Sequence, residues 1–181
     1  MHPRIFASSI PDQPVIIMAR DGTATSYGEL ETVANQGAQL FRSLGIESGD
    51  TVAIWLKNCL EYYQVYWAAQ RAGLYICPIS TQLTVDEAAY ILNDSASKLL
   101  ISHSDVPAAA RLVDSQASLV PGISHIFDIG TELNGALSWQ AALDGQSADP
   151  IEDETAGFHM VYSSGTTGRP KGIRLPLTGG P

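Results

Sequence analysis

The sequence predicts an α/β fold in which a mainly parallel sheet is flanked by helices. Short apolar segments alternate with amphipathic segments along most of the 181 residues, and this alternation favours parallel strands joined by helices. The segment 51–56 is almost entirely apolar, as expected of a strand covered on both faces. Two of the amphipathic segments begin with a Ser or Thr followed three residues later by Glu, the capping box of a helix start.

The first elements are a β-hairpin and a helix. Residues 15–19 and 23–26 flank an Asp-Gly dipeptide, which is typical of a hairpin turn. Ser26 and Glu29 form a capping box, and apolar residues then recur at helical spacing until Gly45. We therefore expect an antiparallel hairpin that leads directly into an amphipathic helix.

The middle of the chain supplies the strands and helices of the sheet. Thr84 and Glu87 form the second capping box. Short apolar runs bounded by turn residues predict strands, and longer periodic runs predict helices. The predicted strands cover residues 51–56, 74–78, 98–102 and 123–129, and the predicted helices cover residues 60–72, 84–93 and 108–120.

Composition excludes several classes of protein. The net charge of −9 argues against a nucleic-acid partner, because phosphates would repel such a surface. The chain has no run of 18 apolar residues and no apolar segment at its N-terminus, so we expect a soluble cytoplasmic protein without a transmembrane segment. Cys59 and Cys77 show no metal or redox spacing and are expected to be core residues. No metal ligand and no catalytic residue is assigned.

The strongest functional signal is the segment 162–172, with the sequence YSSGTTGRPKG. Glycines let backbone N–H groups converge on an anion. Hydroxyl groups donate to phosphate oxygens or complete the shell of a phosphate-bound Mg²⁺, and lysine adds a mobile positive charge. The predicted polyphosphate-binding residues are Ser163, Ser164, Gly165, Thr166, Thr167, Gly168, Pro170, Lys171 and Gly172.

Other glycine-rich motifs do not fit this segment. A Walker loop requires glycine before the lysine and a hydroxyl after it, but Pro170 and Gly172 occupy those positions. A nucleophile elbow and a dinucleotide fingerprint fail as well. The flanks, 158–162 and 173–175, read as short strands, so we expect the loop to connect a hairpin. A surface turn without a ligand is the alternative that composition leaves open.

Charge is unevenly distributed around this segment. Arg169, Lys171 and Arg174 form a compact basic cluster, which supports an anionic ligand. An acidic segment precedes it and is expected to be a solvated connection. The predicted organisation is an α/β subdomain over residues 1–143, an acidic connecting loop over 144–157, and a phosphate-loop hairpin with a truncated end over 158–181.

The string YSSGTTGRPKG closely resembles the phosphate-loop signature of the adenylate-forming enzymes, which include acyl- and aryl-CoA synthetases, peptide-synthetase adenylation domains and luciferases. The resemblance extends along nearly the whole chain, to the N-terminal region of acyl-CoA synthetases. Its weaker patches are SYGEL at 26–30, GDTVAI at 49–54, RAG at 71–73 and LT at 83–84.

The resemblance implies a two-step reaction that uses ATP, Mg²⁺ and coenzyme A. A carboxylate attacks the α-phosphate of ATP to give an acyl-adenylate, and a thiol then takes the acyl group. The loop would hold the β and γ phosphates. In this family the adenine-, ribose- and Mg²⁺-binding segments, the acyl-selecting segments, the hinge and a catalytic lysine lie downstream of the loop, whereas nine residues follow Gly172 here.

Three hypotheses follow. The first is an N-terminal fragment of an AMP-forming acid:CoA ligase that is inactive, or nearly so, alone, with a small carboxylic acid, ATP and CoA as the partners of the full-length form. The second is a short nucleotide-binding or interaction module without ligase activity. The third is a fragment of a peptide-synthetase adenylation domain. The segment 175–181 ends in no capped element, which favours a truncated chain.

Overall fold

A computed structural model describes residues 3–130, 132–163 and 169–180, and it confirms the α/β fold. The helices are α1 (Arg4–Ala7), α2 (Tyr27–Ser43), α3 (Leu60–Arg71), α4 (Val85–Asp94), α5 (Ala109–Asp114), α6 (Gln116–Leu119) and α7 (Trp139–Asp144). The strands are β1 (Pro14–Ile17), β2 (Ala24–Ser26), β3 (Thr51–Trp55), β4 (Tyr75–Pro78), β5 (Ser97–Ser102), β6 (His125–Asp128), β7 (Leu137–Ser138), β8 (Phe158–His159), β9 (Val161–Ser163) and β10 (Lys171–Ile173).

A six-stranded parallel sheet in the order β7-β6-β5-β3-β4-β8 forms the centre of the fold. Alternate residues of its strands face two separate apolar clusters. One cluster joins the sheet to α2, α3 and α7, and the other joins it to α4 and α5. The central strand β3 is buried along its whole length, as its apolar sequence predicts.

The local signals at the start of helices are confirmed. In α2, the backbone N–H of Glu29 donates to Ser26 Oγ at 3.2 Å, and the N–H of Ser26 donates to Glu29 Oε2 at 2.8 Å. Thr84 and Glu87 make the same reciprocal pair at the start of α4. The β1–β2 hairpin is antiparallel, as predicted.

The single helix predicted over residues 108–120 is wrong, because the structure divides it into α5 and α6. Ser115 lies between them with φ −112° and ψ 14°. The Asp114-Ser115 pair has low helix propensity, which favours an interruption at this point.

The acidic segment before β8 lies against α2, while the side chains of Asp144, Asp149, Glu152 and Asp153 are exposed to solvent. The side chain of Asn35 donates to the carbonyl oxygen of Ala148 at 2.8 Å. Arg42 pairs with Asp153 at 3.0 Å, and Glu154 pairs with Arg4. These contacts fix the path by which the chain enters β8.

Burial suppresses the acidity of the two cysteines. Cys77 in β4 is fully buried, and desolvation raises the pKa of its thiol to about 12. Cys59 is half-buried, and desolvation raises the pKa of its thiol to about 11. Both thiols are therefore protonated near neutral pH and are poor nucleophiles. In the ranges that the structure describes, no helix is both long enough and apolar enough to cross a membrane.

Candidate phosphate-binding site

The predicted phosphate loop is carried by an antiparallel hairpin of β9 and β10, which confirms the hairpin prediction. Ser163 lies opposite Lys171, and Tyr162 lies opposite Gly172. Ser163 and Lys171 are exposed at the end of the paired strands, and Pro170 is half-buried beside them. The predicted ligands Ser164, Gly165, Thr166, Thr167 and Gly168 lie outside the described residues.

The strand bounds differ from the prediction. The predicted strand 158–162 is two strands, because β8 joins the parallel sheet whereas β9 pairs with β10. Met160 is the junction, since its N–H still donates to the Ile76 carbonyl at 2.8 Å while its side chain is buried. The second strand ends at Ile173, because the next residue, Arg174, turns away to bind other parts of the fold.

Helix α4 holds both sides of the loop. Tyr90 Oη donates to the carbonyl oxygen of Pro170 at 3.1 Å. Tyr162 Oη donates to Asp94 Oδ2 at 2.7 Å. Residues four apart lie on one face of a helix, so Tyr90 and Asp94 reach the hairpin from the same side of α4.

The surroundings of Tyr162 favour the protonated form of its hydroxyl group. Its ring packs against the apolar cluster that contains α4. Burial, followed by the hydrogen bond to Asp94 and the charge of that carboxylate, raises the pKa of the Tyr162 hydroxyl well above its usual range. The hydroxyl therefore stays protonated at physiological pH and keeps donating to Asp94.

Gly172 allows close packing within the hairpin. A Cβ added at this position would lie 2.6 Å from Met160 Cε and 3.0 Å from Tyr162 Cζ. The backbone of Gly172 does not have the positive φ of the left-handed region. The absence of a side chain at Gly172 therefore leaves room for Met160 and for the Tyr162 ring, which links the hairpin to α4.

Two of the three residues in the basic cluster, both arginines, lie over tyrosine rings. The guanidinium of Arg169 lies 5.3 Å from the centre of the Tyr90 ring. That of Arg174 lies 3.9 Å from the centre of the Tyr75 ring, and it donates to the Gly49 carbonyl at 2.7 Å. Within the described ranges, Lys171 forms no ion pair and is exposed. Arg169 is exposed as well, so both Lys171 and Arg169 present positive charge to the solvent beside the hairpin.

Sequence reasoning missed the residues that hold the hairpin in place. Tyr75 donates to the Leu175 carbonyl at 2.7 Å, and Tyr90 and Asp94 bind the loop flanks. No local signal was available for these residues, because polar side chains four apart on an amphipathic helix ordinarily form its solvent-exposed face.

A separate cleft of about 660 Å³ lies at the carboxyl ends of the central strands. It is lined by residues 56–61 after β3 and by His103 and Asp105 after β5. On its rim, the Asp105 carboxylate lies 3.2 Å from Lys57 Nζ, and the backbone N–H of Asp105 donates to His103 Nδ1 at 3.0 Å. None of the predicted phosphate-binding residues lines this cleft.

Comparison with known proteins identifies the class of protein that carries this hairpin. The family of AMP-binding enzymes matches residues 5–177. The chain therefore belongs to the AMP-binding enzyme family, in agreement with the resemblance of its phosphate loop.

The relatives within this family include CoA ligases. The chain is 32% identical over 151 residues to the long-chain-fatty-acid–CoA ligase FadD13 of Mycobacterium tuberculosis, covering 82% of this chain and 29% of the relative. It is 34% identical over 157 residues to the crotonobetaine/carnitine–CoA ligase of Salmonella arizonae, covering 82% of this chain and 30% of the relative. The chain thus spans less than a third of the length of these relatives.

Solved structures support the same assignment. The inhibitor-bound N-terminal domain of FACL13 from Mycobacterium tuberculosis superposes with a TM-score of 0.78 at 27% identity, covering 94% of this chain and 42% of that domain. The anthranilate CoA ligase AuaEII in complex with anthranoyl-AMP also gives a TM-score of 0.78, at 25% identity, covering 94% of this chain and 33% of the enzyme. The fold is that of the N-terminal region of acyl-CoA synthetases.

Proposed function

We propose that this chain is the phosphate-binding, N-terminal part of an ATP-dependent, AMP-forming acid:CoA ligase. The observation that carries the proposal is the hairpin, whose described ends present Ser163 and Lys171 opposite each other in a member of the AMP-binding family. Lys171 is exposed and directly opposite Ser163 in the paired strands, so we assign it as the principal described cation for a polyphosphate, with the exposed Arg169 beside it.

The proposed reaction has two steps. A carboxylate oxygen of the acid attacks the α-phosphorus of ATP, the bond between that phosphorus and the bridging oxygen breaks, and pyrophosphate leaves. The sulfur of CoA then attacks the carbonyl carbon of the acyl-adenylate, the thiol proton is lost, and AMP leaves. In the first step, negative charge accumulates on the β and γ phosphates, so groups that neutralise these phosphates favour their departure.

The chain's own residues would bind and orient the departing phosphates. Lys171 would donate from its ammonium group, and backbone N–H groups of the loop would supply further donors. Ser163 offers an exposed hydroxyl oxygen, which is the ligand type that Mg²⁺ takes. A Mg²⁺ bound to ATP would neutralise phosphate charge here. Among the described residues, no group of three His, Cys, Asp or Glu forms a metal site, so we propose that the ion binds with the nucleotide.

The choice of CoA as acceptor is supported by the relatives. The two curated relatives and the AuaEII structure are named CoA ligases, which favours CoA over the carrier protein of a peptide synthetase. Their named acids differ, so the acyl substrate is not proposed. We propose that the 181-residue chain by itself forms little or no acyl-CoA, and that its phosphate-loop segment, 158–181, follows an α/β subdomain over 1–143 and a connection over 144–157.

Replacing Lys171 by alanine tests the proposed site. Loss of a charge-assisted hydrogen bond to phosphate is expected to weaken Mg-ATP binding about tenfold. Because Lys171 is exposed and forms no ion pair with the described residues, the free energy of unfolding should be almost unchanged. Isothermal titration with Mg-ATP and a urea unfolding curve measure the two quantities.

Lys98→Ala is the matched control. Lys98 lies on β5 and pairs with Asp50 at 2.8 Å, away from the hairpin. We expect its replacement to leave ATP affinity unchanged. Equal affinities of wild type, Lys171→Ala and Lys98→Ala for Mg-ATP would contradict the assignment of Lys171, and formation of acyl-CoA by the purified chain would contradict the proposed inactivity.

A further inference from the structure

We propose that Tyr90 and Asp94 are positioning residues that fix the two ends of the phosphate loop against α4. The inference rests on the proposed function for the identity of the ligand, a polyphosphate. Its structural part does not, because it concerns described contacts on each flank of the loop. Neither side chain would touch the phosphates; each acts through a residue of the hairpin.

The two contacts are made to opposite sides of the hairpin. Tyr90 binds the carbonyl of Pro170, directly before β10, at 3.1 Å. Asp94 accepts from the hydroxyl of Tyr162 in β9 at 2.7 Å. Side chains that are already held in place lose less conformational entropy when a ligand binds to them. The pair would therefore keep the described ends of the hairpin, Ser163 and Lys171, in place relative to α4.

Tyr90 has a second role through its ring. The guanidinium of Arg169 lies over this ring at 5.3 Å from its centre, a distance at which cation–π attraction acts. One side chain thus holds both the backbone of Pro170 and the side chain of Arg169. This arrangement keeps Arg169 beside α4 and next to the hairpin end that carries Lys171.

The position of Asp94 on its helix supports a role in the hairpin. Asp94 is the last residue of α4, and the last turn of that helix contains no basic residue. A carboxylate at the negative end of a helix dipole is unfavourable for the helix itself. The hydrogen bond from Tyr162 offsets this, so the contact that Asp94 makes is to the loop strand rather than to its own helix.

Helix α4, which carries these two side chains, is packed into the core. Its residues Ala88, Ala89, Ile91 and Leu92 are buried in the apolar cluster on one face of the sheet. Contacts made from a packed helix locate a site more precisely than contacts made from another loop. The residues on the two flanks of the loop are therefore held in position relative to the core of the fold.

The test uses Tyr90→Phe, which keeps the ring for Arg169 but removes the hydroxyl, and Asp94→Ala, which removes the acceptor. Hydrogen exchange of the backbone amides in β9 and β10 should accelerate about tenfold in each variant. Affinity for tripolyphosphate with Mg²⁺ should fall about threefold to tenfold, whereas hydrogen exchange of the backbone amides in the buried strand β3 should not change. Asp94→Asn keeps an oxygen acceptor and should restore most of the protection.

Tyr63→Phe is the control, because Tyr63 is an exposed tyrosine on α3 and should alter neither readout. Unchanged exchange of β9 and β10 in Tyr90→Phe and Asp94→Ala would overturn the proposal. Accelerated exchange in a chain that binds no polyphosphate would support the positioning contacts and refute the proposed function. Accelerated exchange in β3 as well as in β9 and β10 would also overturn the proposal, because that pattern indicates general destabilisation.

Discussion

Replacing Gly157 by alanine is expected to lower the free energy of unfolding by about 3 kcal/mol. A Cβ at this position would lie 2.4 Å from the Leu74 carbonyl oxygen and 2.8 Å from that of Ala69. Both atoms belong to backbone, so relief requires movement of β4 or of the end of α3. Gly157 also donates to the Gln70 carbonyl at 2.7 Å, a bond that such movement would stretch.

This substitution should affect the candidate site as well as stability, because Gly157 directly precedes β8 and the hairpin begins four residues after Gly157, at Val161. Thermal unfolding should shift down by about 6–12 °C for a chain of this size, and Mg-ATP affinity should fall. Gly145→Ala is the control, since a Cβ there would meet nothing within 4 Å and its φ is −88°. Similar urea midpoints for the two alanine variants would contradict the steric account.

Replacing Arg71 by alanine is expected to cost about 3 kcal/mol of stability, at the lower end of the range for breaking a buried ion pair. Arg71 is 1% exposed at its side chain and pairs with Glu31, which is 23% exposed. It also donates to Asn35. The remaining access of Glu31 to water limits the loss, because its carboxylate can be partly solvated once the partner is gone.

The Arg71 contacts join α3 to α2, and its Nε lies 4.0 Å from Glu154 in the connection to β8. Arg71→Met should lose less stability than Arg71→Ala, because methionine fills part of the vacated volume. Arg111→Ala, at an exposed position of α5, should change the free energy of unfolding by no more than about 0.5 kcal/mol. Equal unfolding midpoints for the Arg71 and Arg111 alanine variants would show that the buried network contributes little.

The sequence predicted those elements whose signals are local. The capping boxes at Ser26 and Thr84 place the starts of α2 and α4 correctly, because a cap is decided within four residues. The apolar segment that forms β3 is equally local, since full burial on both faces leaves no room for polar residues.

Elements that depend on distant partners were placed less well. The division at Met160 reflects pairing of one strand with β4 and of the next with β10. The short elements β7 and α7 were not predicted, although Trp139 packs against Phe41 and Phe127 in the core. A two-residue strand and a six-residue helix carry too little periodicity to be recognised.

The candidate site shows the same difference between features encoded locally and features that depend on distant residues. Glycines, hydroxyls and a lysine close together in sequence identified the loop, because a phosphate-binding loop is built from consecutive residues. The side chains that hold it, Tyr90 and Asp94, precede Tyr162 by 72 and 68 positions. Their role follows from the packing of α4 beside the hairpin, which no local pattern encodes.

A titration of the ¹⁵N-labelled chain with Mg-ATP, followed by backbone amide chemical shifts, tests the central claim that the hairpin is a polyphosphate site. The account predicts saturable shifts at Ser163, Lys171 and Gly172, with smaller shifts in α4 around Tyr90. Shifts confined to residues 56–61 would place the nucleotide in the cleft at the carboxyl ends of β3 and β5. That result, or the absence of any shift, would contradict the account.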